Sequence, residues 1–244
     1  MTKSKRSEIK QRRAQRRQKE RQVVFLVVAG AVLLLIAIIV GSSLFQNSQP
    51  IAEITPITPL ERPNAQGTAM GNPDAPVRID VFEDFQCPAC QYFTQNVELQ
   101  VMNELVATGQ VYYVFRHYPF LDDSSATKES DQAANASLCA ADQGRFWDYH
   151  DLLYTNWNGE NEGSFNDRRL VAFAEELKLD MSPFNDCFKA NSHKSQINQD
   201  IQDALRMGIS GTPSVFVNGK IVSPSQVPSF EDIKAAVDAA VAGE

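Results

Sequence analysis

The chain has 244 residues, 43% of them hydrophobic and 22% charged, which suits one large domain or two small ones and is too apolar for a wholly disordered protein. Its net charge of −7 hides a split: residues 1–22 hold ten Lys or Arg against Glu8 and Glu20, a net of +8, leaving −15 on the other 222 residues. An acidic body repels phosphate, which argues against nucleic acid as a partner.

Val23 to Phe45 carries no charge and is almost wholly aliphatic. At about 1.5 Å rise per residue, roughly 20 residues cross a hydrocarbon core of about 30 Å, so the stretch predicts one transmembrane helix. It exceeds the roughly 7–15 apolar residues of a cleaved signal peptide, and Gly41-Ser42-Ser43 is only a weak cleavage site. An uncleaved signal anchor is expected over 23–45, with release as the alternative. Ten cations precede the span, and the next one after it is Arg62. Positive charge stays inside, so the basic tail (1–22) is expected in the cytoplasm and the rest outside a cell membrane. Disulfides form and persist there. Attraction of the tail to anionic lipid or nucleic acid is the competing reading of its charge.

Residues 46–71, with Pro50, Pro56, Pro59 and Pro63 and no apolar period, read as an extended linker, and a globular domain is expected over 72–244. Val77, Ile79 and Val81 alternate onto one face of a strand that runs into Cys87-Pro88-Ala89-Cys90. Pro88 suits a first helical turn, and Phe93, Val97, Val101 and Leu105 continue an apolar stripe as far as Gly109. Val111–Phe115 predicts a second strand. From about 120 to 207 the pattern is helical. Phe146, Tyr149 and Leu153 make one stripe, Leu170, Phe173, Ala174 and Leu177 another, and Ile197, Ile201 and Leu205 the last. Ser182-Pro183 reads as an N-cap followed by a first-turn proline. Strands return at Ser214–Val217 and Lys220–Val222 around Asn218-Gly219, a hairpin signal. Ser229 with Asp232 reads as a capping box opening a helix with Ile233, Val237 and Val241 inside.

The four cysteines are Cys87, Cys90, Cys139 and Cys187. Cys87 and Cys90 stand at i and i+3 where strand meets helix, close enough to bridge. A cysteine at a helix N-terminus meets unpaired N–H groups and a dipole that favour an anion. Up to ~2 kcal/mol of dipole stabilisation, at about 1.36 kcal/mol per unit, lowers a thiol pKa by only about one unit, so local hydrogen bonds must supply any further shift. Cys87 is the candidate nucleophile and Cys90, one turn further in, the candidate resolving thiol, which points to thiol–disulfide exchange. A purely structural 87–90 disulfide competes with this, although so small a loop constrains little chain entropy. A zinc site needs a second pair of ligands at metal spacing, which the sequence lacks, so no metal is expected. No nucleotide, flavin or haem motif stands in the chain, so no cofactor is expected. Cys139 and Cys187, 48 positions apart, are the leftover pair. An oxidising compartment favours a structural disulfide between them over a second, electron-relaying redox pair. Of His117, His150 and His193, only His117 is expected near the Cys87–Cys90 pair.

Three segments in order, G-N-P-D-A-P-V-R-I-D-V-F-E-D-F-Q-C-P-A-C (71–90), C-A-A-D-Q-G-R-F-W-D-Y-H-D-L-L (139–153) and G-I-S-G-T-P-S-V-F-V-N-G (208–219), resemble the DsbA-like thioredoxin-fold family of thiol–disulfide oxidoreductases, especially its membrane-anchored, Gram-positive-type members. The resemblance covers about residues 70–243. It implies a thioredoxin-like α/β fold with an inserted helical domain, here preceded by one transmembrane helix. It implies that Thr212-Pro213 is a cis-proline loop beside the cysteine pair, open to an extended substrate, where an ordinary trans turn is the alternative. It implies a dithiol oxidase that introduces disulfides into cysteine-containing secreted polypeptides and is reoxidised by a quinone-linked membrane protein. A reductase or isomerase of the same fold, and a non-catalytic binding or chaperone module, are the competing functions, and Pro88-Ala89 does not decide between them. Family members often carry an acidic residue six positions before the first cysteine as a buried proton acceptor. Here that position is Val81, with Glu83 and Asp84 nearby in a different register, so no carboxylate is assigned the role.

Overall fold

The computed structural model describes residues 22, 25, 27, 28, 30–42, 50–124 and 127–243. The chain divides into two units, Met1–Ile51 and Ala52–Glu244. Nearly all of the expected basic tail, several positions of the expected span and the start of the expected linker lie outside the described residues. In the first unit the described residues from 22 to 42 are helical and exposed. Among the described residues, no helix is long and apolar enough to cross a membrane.

The second unit is built on one sheet. Its strands are β1 (Ala69–Met70), β2 (Val77–Glu83), β3 (Val111–His117), β4 (Ser214–Val217) and β5 (Lys220–Ile221), in the order β1-β3-β2-β4-β5. β2 and β3 run parallel, which requires a crossover, whereas the other three pairings are antiparallel. Val77, Ile79 and Val81 are fully buried on one face of β2, where they meet Val111, Tyr113, Val215 and Val217 in the main core. Phe82 points to the other face and packs edge-on against Phe216 at 6.0 Å, with Tyr118, Ala204 and Ile209 completing a smaller cluster.

The crossover begins behind Cys87. Helix α1 (Pro88–Phe93) continues through a π-helical turn (Thr94–Glu98), one α turn (Leu99–Val101) and a second π turn (Met102–Val106). A stripe repeating every four residues drifts by about 40° per step around a helix of about 3.6 residues per turn. The wider π turns remove that drift, and Phe93, Val97, Val101 and Leu105 are all buried. Between β3 and β4 stand α2 (Glu129–Ala141), α3 (Phe146–Thr155), α4 (Asp167–Glu176), α5 (Met181–Ala190) and α6 (Lys194–Arg206). The β4–β5 turn places Asn218 and Gly219 at φ of 46° and 79°, as a two-residue hairpin requires. The last helix, α7 (Phe230–Ala242), opens on a capping box in which Ser229 Oγ accepts from the Asp232 N–H at 3.2 Å and Asp232 Oδ2 accepts from the Ser229 N–H at 2.9 Å.

Four details depart from the sequence reading. The N-cap of α5 is Asp180, whose carboxylate accepts from the Ser182 N–H at 3.0 Å; Pro183 still falls in the first turn, where its missing donor is harmless. α6 buries Ile197, Asp200 and Ala204 and leaves Leu205 55% exposed. Arg116 of β3 causes the rotation: its Nε bonds Asp200 Oδ1 at 2.6 Å and its other nitrogens reach Asp203 and Asp80. Val241 lies exposed in the final turn of α7, next to the left-handed Gly243. Finally, much of the stretch that composition assigns to a linker packs on the body. Thr55 and Asn156 exchange two hydrogen bonds of 2.8 and 2.9 Å, the Arg62 side chain is buried, and β1 pairs with β3. Gly71 lets the backbone pass: at φ 98° a Cβ there would lie 2.4 Å from the Val111 carbonyl oxygen.

Candidate active site

The end of β2 turns into α1 over four residues. The Cys87 N–H donates to the Asp84 carbonyl at 3.0 Å and the Gln86 N–H to Asp84 Oδ1 at 2.9 Å, an Asx-type turn. Gln86 fastens this turn to the helical block, donating to Ser130 Oγ at 2.9 Å and accepting from the Asn161 N–H at 2.7 Å. Cys87 thus becomes the N-cap of α1, and its carbonyl accepts from the N–H groups of Cys90 and Gln91, both at 3.1 Å. Both sulfurs are free thiols; Cys87 is 6% exposed and Cys90 not at all.

The two thiols are driven apart in acidity. A hydrogen bond from Cys90 is the main stabiliser of the Cys87 thiolate; burial opposes it, and Thr212 with the N–H groups of Cys90 and Ala89 reinforces it, for a pKa of about 6. Burial holds the Cys90 thiol well above the usual range. The Thr212-Pro213 peptide bond is cis. Thr212, 125 positions from Cys87, brings its carbonyl oxygen within 3.3 Å of Cys87 Sγ, which donates to it when protonated. The loop that follows α6 therefore abuts the cysteine pair.

Distance from Cys87 assigns no carboxylate a role, but strand phase decides which of the two neighbouring carboxyls is buried on the core face. Counting by twos, Val77, Ile79, Val81 and Glu83 share one face of β2, so Glu83 is in phase with Val81 and points inward with it. It is 1% exposed. Tyr154 of α3 donates to its Oε2 at 2.9 Å, while Oε1 has no partner. Burial raises its pKa well above the ordinary carboxyl range, Glu98 adds repulsion, and the contacts with Tyr154 and the Cys90 thiol oppose the shift. Asp84 points instead into the turn. Burial pushes it up to about 7, against hydrogen bonds from Gln86, Ser130 and Leu121.

Behind Glu83 lies a buried charged cluster that the sequence gave no means of assembling, since its members come from four separate segments. Glu98 accepts from Arg62 at 3.2 Å and from the Tyr113 hydroxyl at 3.3 Å. Asp151 accepts twice from Arg62, at 2.8 and 2.9 Å, and contacts His150 Nδ1 at 2.9 Å. The Arg62 guanidinium also stacks 4.7 Å over Trp147. His150 therefore lies close to the site, 5.8 Å ring to ring from Phe85, as does His117 at 5.9 Å. Burial holds His117 near 3, so it stays neutral at pH 7. His193 pairs with Asp142 at 2.9 Å, away from the cysteine pair.

Cys139 and Cys187 are joined in a disulfide that ties α2 to α5, with a Cα–Cα distance of 5.8 Å. Among the described residues, the grouping of metal-ligating type is Cys139, Cys187 and His193, and its two sulfurs are already bonded to each other.

A family model described as Thioredoxin matches residues 64–239. A protein of Bacillus cereus named as a probable disulfide bond formation protein D is 29% identical over 70% of this chain and 76% of its own length. A Na(+)/H(+) antiporter NhaA 1 of Salinispora arenicola is 34% identical over 71% of this chain but only 24% of its own length. Among solved structures, oxidised BdbD from Bacillus subtilis superposes with a TM-score of 0.64 at 21% identity, over 78% of this chain and all of that one. A thioredoxin-like oxidoreductase from Silicibacter pomeroyi gives a TM-score of 0.58 at 27% identity, over 71% of this chain and 91% of that one. The sheet and its flanking helices are thus a thioredoxin-like α/β fold.

Proposed function

The chain belongs to the DsbA-like thioredoxin-fold family and is a thiol–disulfide oxidoreductase, and from this premise we propose that it is a dithiol oxidase, held at the outer side of a cell membrane and working through Cys87 and Cys90. The split in acidity, with Cys87 held near 6 at a helix start and its neighbour Cys90 held high, carries the assignment of thiol–disulfide exchange to this pair, and the similarity to disulfide bond formation protein D supports oxidation as its direction.

The chemistry follows. A substrate thiolate attacks Cys87 Sγ of the oxidised pair, the Cys87–Cys90 bond breaks, and a mixed disulfide forms. Cys90 leaves as a thiolate in a buried site and takes the proton of the Glu83 carboxyl that faces it. The substrate's second thiolate then attacks the mixed disulfide at the substrate's own sulfur and expels Cys87, a good leaving group because its thiolate is stabilised. The substrate gains a disulfide and the protein holds two electrons, which a quinone-linked membrane protein removes. The Thr212-Pro213 loop lines a groove of about 510 Å³ that contains no charged residue and includes Met207, Ile209, Ile221 and Val227. This groove suits an extended, cysteine-containing secreted polypeptide better than an ionic ligand. The uncharged run Val23–Phe45 behind a basic tail supports single-pass anchoring with the tail in the cytoplasm.

The deciding experiment is a redox titration of the Cys87–Cys90 pair. A potential close to DsbA's, about −120 mV, supports the oxidase; one close to thioredoxin's, about −270 mV, makes the protein a reductase. Retention of activity by Cys87→Ser would remove both and leave a binding module.

A further inference from the structure

We propose that Cys139 and Cys187, in their dithiol state, form half of a zinc site completed by His193 and Asp142, so that a disulfide and a metal ion are alternative staples for the same two helices. The site is independent of the chemistry at Cys87 and Cys90.

Four donor atoms of the kinds that bind zinc converge here from three helices. Cys139 stands in the last turn of α2, and Asp142 is the C-cap of that helix. Cys187 lies in α5, and His193 is the N-cap of α6. The two sulfurs and one ring nitrogen of His193 all lie within 4.8 Å of one another. Asp142 Oδ2 lies 3.7 Å from Cys187 Sγ and 2.9 Å from His193 Nε2. Along the chain the donors form two local pairs, C-x-x-D and C-x-x-x-x-x-H, which make one set only when α2 and α5 come together. Two thiolates, an imidazole and a carboxylate suit zinc, whereas calcium and magnesium take oxygen ligands throughout.

The donors are held together by more than the S–S bond. Asn135 of α2 donates to the Phe188 carbonyl at 3.1 Å and accepts from the His193 N–H at 3.3 Å. At the other end of α5, Gln143 donates to the Asp180 carbonyl at 3.0 Å and accepts from the Asp180 N–H at 2.8 Å. These two clamps persist whatever the state of the sulfurs. An ion also has a way in: Cys139 is 1% exposed, but Cys187 is half-buried, and the side chains of His193 and Asp142 are 19% and 56% exposed. Both cysteines are thiols when the chain is made. On taking Zn²⁺ each loses its proton, two S–Zn bonds form, and no electrons move. Disulfide formation breaks those bonds and releases the ion: two electrons pass to a disulfide oxidant, which becomes a dithiol. A dithiol reductant reverses the exchange and ends as a disulfide itself.

The test uses the full chain carrying Cys87→Ser and Cys90→Ser, which removes the other dithiol, reduced with a phosphine rather than a metal-binding thiol. Cobalt(II) is the probe. One equivalent is expected to give the visible bands of a tetrahedral thiolate site, zinc to abolish them, and the oxidised protein to give none. His193→Ala in the same background is expected to weaken cobalt binding by at least about tenfold. Absence of the bands from the reduced protein overturns the site. Bands with unchanged affinity in His193→Ala also overturn it, because they leave a bare dithiol. Should His193→Ala not fold, thermal unfolding of the background protein decides. Zinc is expected to raise the midpoint of the reduced form and leave that of the oxidised form where it was; no rise, or an equal rise in both, overturns the proposal.

Discussion

The Tyr154 hydroxyl meets Glu83 Oε2 at 2.9 Å, a bond that reaches from the helical block to the end of the central strand. Two carboxyls adjacent in sequence are thereby given different tasks: Glu83 faces the Cys90 sulfur and Asp84 builds the turn that presents Cys87.

Glu83→Gln should stabilise the protein at neutral pH and slow disulfide exchange. Unfolded, the carboxyl ionises near 4.5; folded, it does so at much higher pH. Between those values folding must take up a proton, so stability declines as pH rises through the window. The amide removes that loss. Urea midpoints should agree for the two proteins at pH 4 and favour the variant at pH 7; an equal difference at both pH values would contradict the raised carboxyl.

Thiolate absorbance of the reduced protein should rise with a midpoint of about 6, against an ordinary value of 9.0, and Cys90→Ala should move the midpoint upward by removing the main stabiliser. A lowered thiol pKa stabilises the reduced form above pH 6, increasingly up to about pH 9. At pH 7 this amounts to only about 1.4 kcal/mol, or about 30 mV. DsbA and thioredoxin differ by about 150 mV, or about 7 kcal/mol, so Cys87 acidity alone does not set the direction of electron flow. A measured midpoint near 9 would remove the basis for Cys87 as the stabilised thiolate.

Arg62→Met should cost about 3–5 kcal/mol in urea unfolding, because it leaves Glu98 and Asp151 buried without their cation. A loss below about 1 kcal/mol would mean that the cluster relaxes toward solvent.

Replacing Cys139 and Cys187 together by Ala should lower stability by about 4 kcal/mol, the chain-entropy value for a closure spanning 48 positions. The potential of the Cys87–Cys90 pair should not move. A shifted potential would make the second pair part of the redox chemistry.

Local patterns carried most of the architecture. Alternation marks β2, Asn218-Gly219 the hairpin and Ser229 with Asp232 the start of α7, because each depends on residues a few positions apart. The four-residue spacing from Phe93 to Leu105 even held the signature of the π turns, which a reading limited to ideal helices overlooks. The burial of Glu83 is equally legible by parity, since it lies in phase with Val81, whereas its distance from Cys87 says nothing about which face it takes. The Arg62–Glu98–Asp151–His150 cluster was not legible, since partners separated by 36 and 89 positions leave no local trace. The facing side of α6 was lost for the same reason: Arg116, on a distant strand, chooses Asp200 over Leu205.

The seat of Arg62 turns what composition describes as a tether into a keystone of the enzyme's interior. A soluble fragment begun at residue 72 would lose this plug, the Thr55–Asn156 clasp and β1 together, and its weakness would be blamed on the cysteines. A fragment begun ahead of Ile54 keeps all three, and is the version in which the chemistry of Cys87 can be measured on an intact body.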